Sequence, residues 1–499
     1  MDIRDLTKGV FMLIKGDKRE QIYPTQFYLD QELSVVGAEK VICVMVSAKV
    51  SSWEAYQGEA RINYRALYRA IYKDTEGSIN CYEQSFDNNA VVKSPVITPK
   101  SYLDMDICVL SSEFVGKTDI KIRAAMEIRG YCIVDFGFNA IEPEDGICKK
   151  TLPITVENIQ PVRESEIVAS SSIDVKEQID KVLSYDTKIV LKKVAAATEI
   201  CEIEGECYVH LIYTSGGNLL SRCISIPFET EILAPNVTAD CEVYCSAQAN
   251  STTITLENTS GGSEIKMEIV VGIKGFCVGK QEIMLVTDAY SCTKEIKLTA
   301  ETVYLEDSVC LTGVYEKISG SVRLEEGSKR LRSVLCVCPP SVGALTASNT
   351  GSLAVEGIIS ANVIYIDEDE QLSVLLAEIP YHFVVSRDFT CQDNLYAKAM
   401  VTGFMAKARH NDQVEISGDI YIEVYGSGIR PTKVITALEE LGDREQNDCA
   451  ISLYIVKPGE TLWDVAKALM CEEETLAKLN PDLKLPLMGG EKVLLYREL

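Results

Sequence analysis

The side chains able to do chemistry in this chain are few and scattered. Three histidines occur, His210, His382 and His410. His210 and His382 fall inside strand-like segments with no serine or cysteine nucleophile at a recurring position nearby, so each reads as a structural histidine rather than a general base. Eighteen cysteines are spread through strand-like segments, often at apolar positions. The closest, Cys336 with Cys338 and Cys241 with Cys245, lack the CxxC knuckle of a structural zinc site. They read as reduced thiols serving as small apolar side chains, the usage of a cytosolic protein. The run Asp367-Glu368-Asp369-Glu370 could attract calcium, but it lacks the glycine and distal glutamate of a calcium loop and reads as a solvated hairpin tip. Neither GxSxG, GxxxxGK(S/T) nor HExxH occurs. The expectation is a protein without catalytic residues, metal site or cofactor, and not an enzyme.

The specific pattern lies in the last fifty residues: YIVKPGETLWDVAKAL (Tyr454 to Leu469), LAKLNPDL (Leu476 to Leu483) and GEKVLL (Gly490 to Leu495). A short strand runs into a Pro-Gly turn, and Thr461 is placed to cap a helix whose apolar face is Leu462, Val465, Ala466 and Leu469. Trp463 is displaced by about 100° from Leu462, at the edge of that face. A second helix stops at Asn480-Pro481, and a strand closes the unit. This βααβ segment, 450–499, resembles a LysM module. The resemblance implies a shallow groove between the turn entering the first helix and the loop after the second. By position its residues are Gly459, Glu460, Thr461 and Leu462 on one side and Asn480, Pro481, Asp482 and Leu483 on the other, with Trp463 near the mouth, where it reads first as a packing residue and second as a groove residue. LysM modules bind N-acetylglucosamine-containing glycans of cell walls, so the resemblance implies a glycan or protein ligand there.

The rest of the chain repeats itself. Ala66 to Phe86, Gly205 to Phe228 and Gly357 to Tyr381 each read as a strand ending at Tyr, a polar turn, a second strand and an aromatic. The anchor tyrosines, Tyr72, Tyr213 and Tyr365, lie about 140 to 150 residues apart, a domain-sized period. Alternation at Ala60, Ile62, Tyr64, Ala66, Tyr68 and Ala70 is the period of a strand, and turns are expected at Lys73–Gly77, Thr214–Asn218 and Asp367–Gln371. Strands should precede the hairpins at 41–50, 188–198 and 332–338, and follow them at 120–129, 264–273 and 414–425. The fold class expected is mainly β: three tandem antiparallel β-sandwich-like domains at 1–160, 161–303 and 304–430, a linker at 431–449, and the small α+β module at 450–499. Short helices are expected at 175–183 and, within the linker, at 432–441.

Gly205 to Tyr213 and Gly357 to Tyr365 share the spacing Gly-x(7)-Tyr; the first repeat departs from it, with Gly58 well before Tyr72. Three such repeats, a polar linker and one C-terminal LysM are similar to the SPOCS-domain/LysM spore coat morphogenetic proteins. That resemblance implies a non-enzymatic scaffold in the mother-cell cytoplasm of a sporulating bacterium. Its partners would be the coat basement-layer ATPase, stage IV sporulation protein A, and other coat proteins at the forespore surface, with peptidoglycan or its lipid-linked precursor as a further ligand. The alternative, carried by the LysM pattern alone, is a cell-wall-binding protein. A net charge of −25, from 74 acidic and 49 basic residues, disfavours nucleic acid and anionic lipid, and its plainer reading is that it keeps a large chain from self-associating. No signal peptide or membrane-spanning run is visible in the first thirty residues or elsewhere.

Overall fold

A computed structural model describes residues 9–235, 237–386, 393–444 and 450–496. The first unit has six strands, β1 (Gly9–Ser34), β2 (Ala38–Tyr56), β3 (Glu59–Asp74), β4 (Ile79–Lys93), β5 (Tyr102–Gly116) and β6 (Asp119–Pro143). The second repeats the plan with β7 (Ile147–Val175), β8 (Lys181–Ala197), β9 (Ile200–Ser215), β10 (Asn218–Leu233), β11 (Glu242–Thr259) and β12 (Gly262–Ser291). In the third, β13 (Lys294–Arg323) leads to β14 (Leu331–Val337) and β15 (Ser341–Asn349), then β16 (Leu353–Asp367), β17 (Leu372–Ser386), β18 (Asp393–His410) and β19 (Gln413–Asp443). Pro339-Pro340 splits what is one strand in the other units, since proline lacks the amide a ladder needs.

Each unit folds into two antiparallel sheets. The middle strand of the hairpin pairs on both sides, as in β2-β3-β4, and the first strand pairs with the last, which also pairs with the fifth, as in β1-β6-β5. The inward faces interdigitate around one core per unit, built in the first from Ile62, Tyr64, Tyr68, Ile122 and Met126. The expected strands and all three hairpin turns are present. Asp74 and Asp367 shape two of those turns alike: Asp74 Oδ1 accepts the amides of Glu76 and Ser78, and Asp367 Oδ1 those of Asp369 and Gln371. Asp367 is thereby a turn residue inside the acidic run.

The Gly-x(7)-Tyr spacing has a packing cause. Gly205 pairs with Phe228, whose ring lies over the glycine, so that a Cβ there would sit 2.4 Å from ring carbon Cζ. Gly357 pairs with Tyr381 in the same way, at 2.6 Å from the hydroxyl. In the first unit Tyr64 stands at the corresponding place opposite Asn88 and supplies the ring itself, against Phe27. The first repeat departs from the motif because its ring comes from the middle strand. Gly205→Val should therefore lower stability by about 1–3 kcal/mol through overpacking, read as a lower urea midpoint.

The two expected helices are not formed. Residues 176–180 instead cross from one sheet to the other, with Ile179 buried and its amide held by Ser263 Oγ at 2.8 Å. Residues 432–441 continue β19, paired with β13 as far as Lys294 and Asp443. Extra residues at Thr436 and Leu441 shift the register there, so Val434, Ile435 and Leu438 are all buried. Two bulges in a strand buried on both faces imitate helical spacing. The stretch expected as a linker is thus strand to Asp443, and 445–449 lie outside the described residues. The expected boundaries after 160, 303 and 430 fall inside β7, β13 and β19.

Those long strands tie the units together. Beyond each sandwich the ribbons β1-β6, β7-β12 and β13-β19 run on and pack on one another through Ile14, Ala140, Val156, Leu285, Leu305 and Val434. A second three-way junction joins the hairpin sheets through Cys43, Ile71, Ile212, Leu219, Cys336 and Ile364. Further along β1, the buried Arg19 lies over the rings of Tyr244, Phe276 and Tyr425 at 4.1, 4.8 and 4.8 Å, so one cation touches all three units.

Candidate functional site

The C-terminal module has β20 (Ile451–Ile455), α1 (Leu462–Leu469), α2 (Glu473–Leu479) and β21 (Lys492–Tyr496), with β20 antiparallel to β21. Its first turn is defined by Gly459, whose φ of +87° suits glycine. The Glu460 carboxylate closes the turn by accepting the Lys457 amide at 2.8 Å and the Tyr454 hydroxyl at 2.9 Å. These bonds, the Lys457 amide foremost, hold its pKa below the usual glutamate value. Thr461 caps α1 in a reciprocal box with Asp464: the Thr461 amide donates to Asp464 Oδ2 at 2.8 Å, and the Asp464 amide to Thr461 Oγ1. Leu462, Val465 and Ala466 are buried, with Leu469 packed at their edge.

The second wall is a loop tied down at both ends. Asn480 Nδ2 donates to the carbonyls of Leu476 and Leu494 at 2.8 and 2.7 Å, and Oδ1 accepts the Leu494 amide at 2.8 Å. Its side chain is therefore spent on joining α2 to β21. Asn480→Ala should destabilise the module by about 1–3 kcal/mol, seen as a lower melting temperature of the module's own transition. Pro481 and Asp482 are exposed and Leu483 is half-buried. The later part of the loop, which was not expected in the site, is the part that meets the first turn. A Cβ on Gly489 would lie 2.9 Å from Pro458 Cα, and Glu491 accepts the amides of Met488 and Gly489 at 2.7 and 2.8 Å. Leu485 and Met488 are 64% and 80% exposed, giving apolar surface beside the polar turn. Pro458 and Gly489 were hidden from sequence reasoning because the LysM resemblance places the second wall at 480–483.

Trp463, placed at the groove mouth on sequence but read first as a packing residue, is a packing residue. It is buried against the second unit, where its indole N–H donates to Asp288 Oδ2 at 2.9 Å and its ring meets Tyr290 edge-on at 4.8 Å. Lys467 Nζ donates to both oxygens of Asp288 at 2.7 Å. Burial alone would raise the Asp288 pKa, but the bonds from Lys467 and Trp463 outweigh it and hold the carboxyl below its usual value. Tyr290 donates its hydroxyl to the Cys471 carbonyl at 2.7 Å, and Arg444 Nη1 to Met470 Sδ at 3.2 Å. The module is seated on the end of β12 through these contacts.

Residues 454–487 match the LysM domain family. No curated protein and no solved structure matches the chain. LysM domains commonly bind peptidoglycan or other N-acetylglucosamine glycans. Among the described residues, no cluster of three or more His, Cys, Asp or Glu side chains is arranged to hold a metal, and no helix is long and apolar enough to cross a membrane.

The histidines divide. His382 is exposed, with Nδ1 3.6 Å from Glu356, and His410 is exposed at the tip of the β18-β19 hairpin. The buried His210 does have a nucleophile beside it, though not one that recurs in the other units: Cys223 Sγ lies 3.2 Å from its Nδ1. With the turn at Gly216-Gly217, residues 210 and 223 face each other across the hairpin. The expected turn at Thr214–Asn218 carried that information.

Proposed function

We propose that the protein is a non-enzymatic scaffold of spore coat assembly, working in the mother-cell cytoplasm at the forespore surface. In this reading its β units form one rigid body, and the LysM module docks a coat component, with stage IV sporulation protein A the partner implied by the SPOCS/LysM resemblance. The observation that carries the reading is the seam: Trp463 and Lys467 on Asp288 fix the module to the body and leave Lys457, Pro458, Asp482 and Met488 exposed. A module held this way presents its groove at a set orientation, which suits assembly onto a partner surface. Repetition of the body on a polymeric partner would add avidity.

A pull-down from sporulating cells with the full chain should recover stage IV sporulation protein A, and a fluorescent fusion should ring the forespore. Both should fail for a chain carrying Asp482→Arg and Met488→Glu, which alter exposed rim residues without touching the module's core. Unchanged recovery and localisation in that variant would remove the docking role. The second reading, a binder of peptidoglycan or its lipid-linked precursor, is favoured by the family match at 454–487. Sedimentation of the full chain with purified peptidoglycan, abolished by the same two substitutions, would support it.

A further inference from the structure

We infer that Cys223 is a reactive thiol poised for mixed-disulfide formation with small-molecule disulfides, with His210 as its base. The site lies outside the LysM module, in a crevice between the second and third units. The residues that argue for it form one row across three strands: Asp186 of β8 faces His210 of β9, which faces Cys223 of β10. His210 Nε2 lies 2.9 Å from the Val337 carbonyl. A carbonyl only accepts, so Nε2 carries the hydrogen and the neutral ring presents a bare Nδ1 to Cys223 Sγ. The thiol can therefore donate its proton to the ring, giving a thiolate beside an imidazolium.

Access separates this thiol from the others. Among the described residues Cys223 is the one exposed cysteine. A reagent reaches it from that exposed side; on its inner side it borders a crevice of about 10 Å³, room for one water, walled opposite by Pro340 and residues 401–404. The charged and titratable groups facing the pair are Asp186, Lys188 and Tyr208; the opposite wall brings none. Burial disfavours charge on both partners, yet their mutual bond outweighs it, raising the imidazole and lowering the thiol from their ordinary values.

The step balances without another reagent. The Cys223 thiolate attacks one sulfur of RS–SR, the Cys223–SR bond forms as the RS–SR bond breaks, and the departing thiolate takes the proton held at His210 Nδ1. The products are the mixed disulfide and one RSH.

The full-length reduced protein should be labelled with iodoacetamide and separately with oxidised glutathione, and each cysteine followed by peptide mapping between pH 5.5 and 9. An ordinary thiol is about 1% thiolate at pH 6.5. Cys223 should react there about tenfold faster, after allowance for the weaker nucleophilicity of an acidic thiol, and with a nearly flat pH profile. Glutathione should appear on Cys223 first, and His210→Asn should restore the steep profile. A wild-type rate at Cys223 that climbs about tenfold per pH unit up to pH 8 would overturn the inference. So would labelling of Cys108 or Cys241 ahead of it, or an unchanged profile in His210→Asn. If that variant does not fold, the wild-type profile alone decides.

Discussion

Arg19→Ala should cost at least about 2 kcal/mol, the loss of a desolvated cation over aromatic rings, and do so in a pH-dependent way. Arg19 is the cation among Tyr244, Phe276 and Tyr425, and its charge also acts on Glu157 and Glu306 from the second and third units. Burial is the main influence on both carboxyls and raises them; Arg19 pulls them back down. Without it they rise further. A carboxyl whose folded pKa exceeds its unfolded one binds more protons in the native state, so its contribution is greatest at low pH and is lost as pH rises. The variant should therefore lag the wild type most at pH 8 and recover part of the difference near pH 5. Urea midpoints across that range would check it, and an equal deficit at both pH values would show that the lost ring contacts, not the carboxylates, dominate.

Trp463→Ala should have a comparable effect, about 3–5 kcal/mol, confined to the C-terminal module and its seat. The ring is 6% exposed and shares a core with Tyr290, Val465 and Leu476, so truncation leaves a cavity and strands the Asp288 carboxylate. Limited proteolysis should then cut within residues 444–470 while the β body stays resistant. Asp288→Ala separates the seam from the module's own fold. It leaves the indole N–H and the Lys467 ammonium without their acceptor, at about 1–3 kcal/mol, and should loosen the module without melting it. The Asp288 pKa is lowered by folding, so the seam is fully held above the ordinary aspartate value and lost as pH falls through the lower folded one. Cleavage of the wild type near residues 444–470 should accordingly rise on going from pH 7 to pH 3 under a protease active at both.

The sandwich strands and hairpins were legible because each buries one face and shows the other to water, which writes a period of two into the sequence. Tyr64, Tyr68 and Ile62 are the clearest instance. Legibility failed where a strand is buried on both sides. Val434 enters one inter-unit cluster and Ile435 another, so the alternation vanishes and the bulges leave a helical spacing. At the module, the cap Thr461 and the apolar face of α1 follow from local chemistry and were readable. The partner of Trp463 was not, because Asp288 lies far away in the chain and carries no mark of the contact. The Cys223–His210 pair stands between these cases: hairpin register implies it, but only if the turn is centred correctly.

The pairing of each unit's first strand with its last sets the order in which the protein can come together. Gly9 meets Pro143, Ile147 meets Ser291 and Lys294 meets Asp443, so no unit can close before its final strand has left the ribosome. At roughly 5–20 residues per second, β1 waits on the order of ten seconds for β6, its edge open to other nascent chains. Contacts so distant in sequence also make the later search slow. A net charge of −25 opposes association of half-built sheets on neighbouring chains while each ribbon still lacks its own other half.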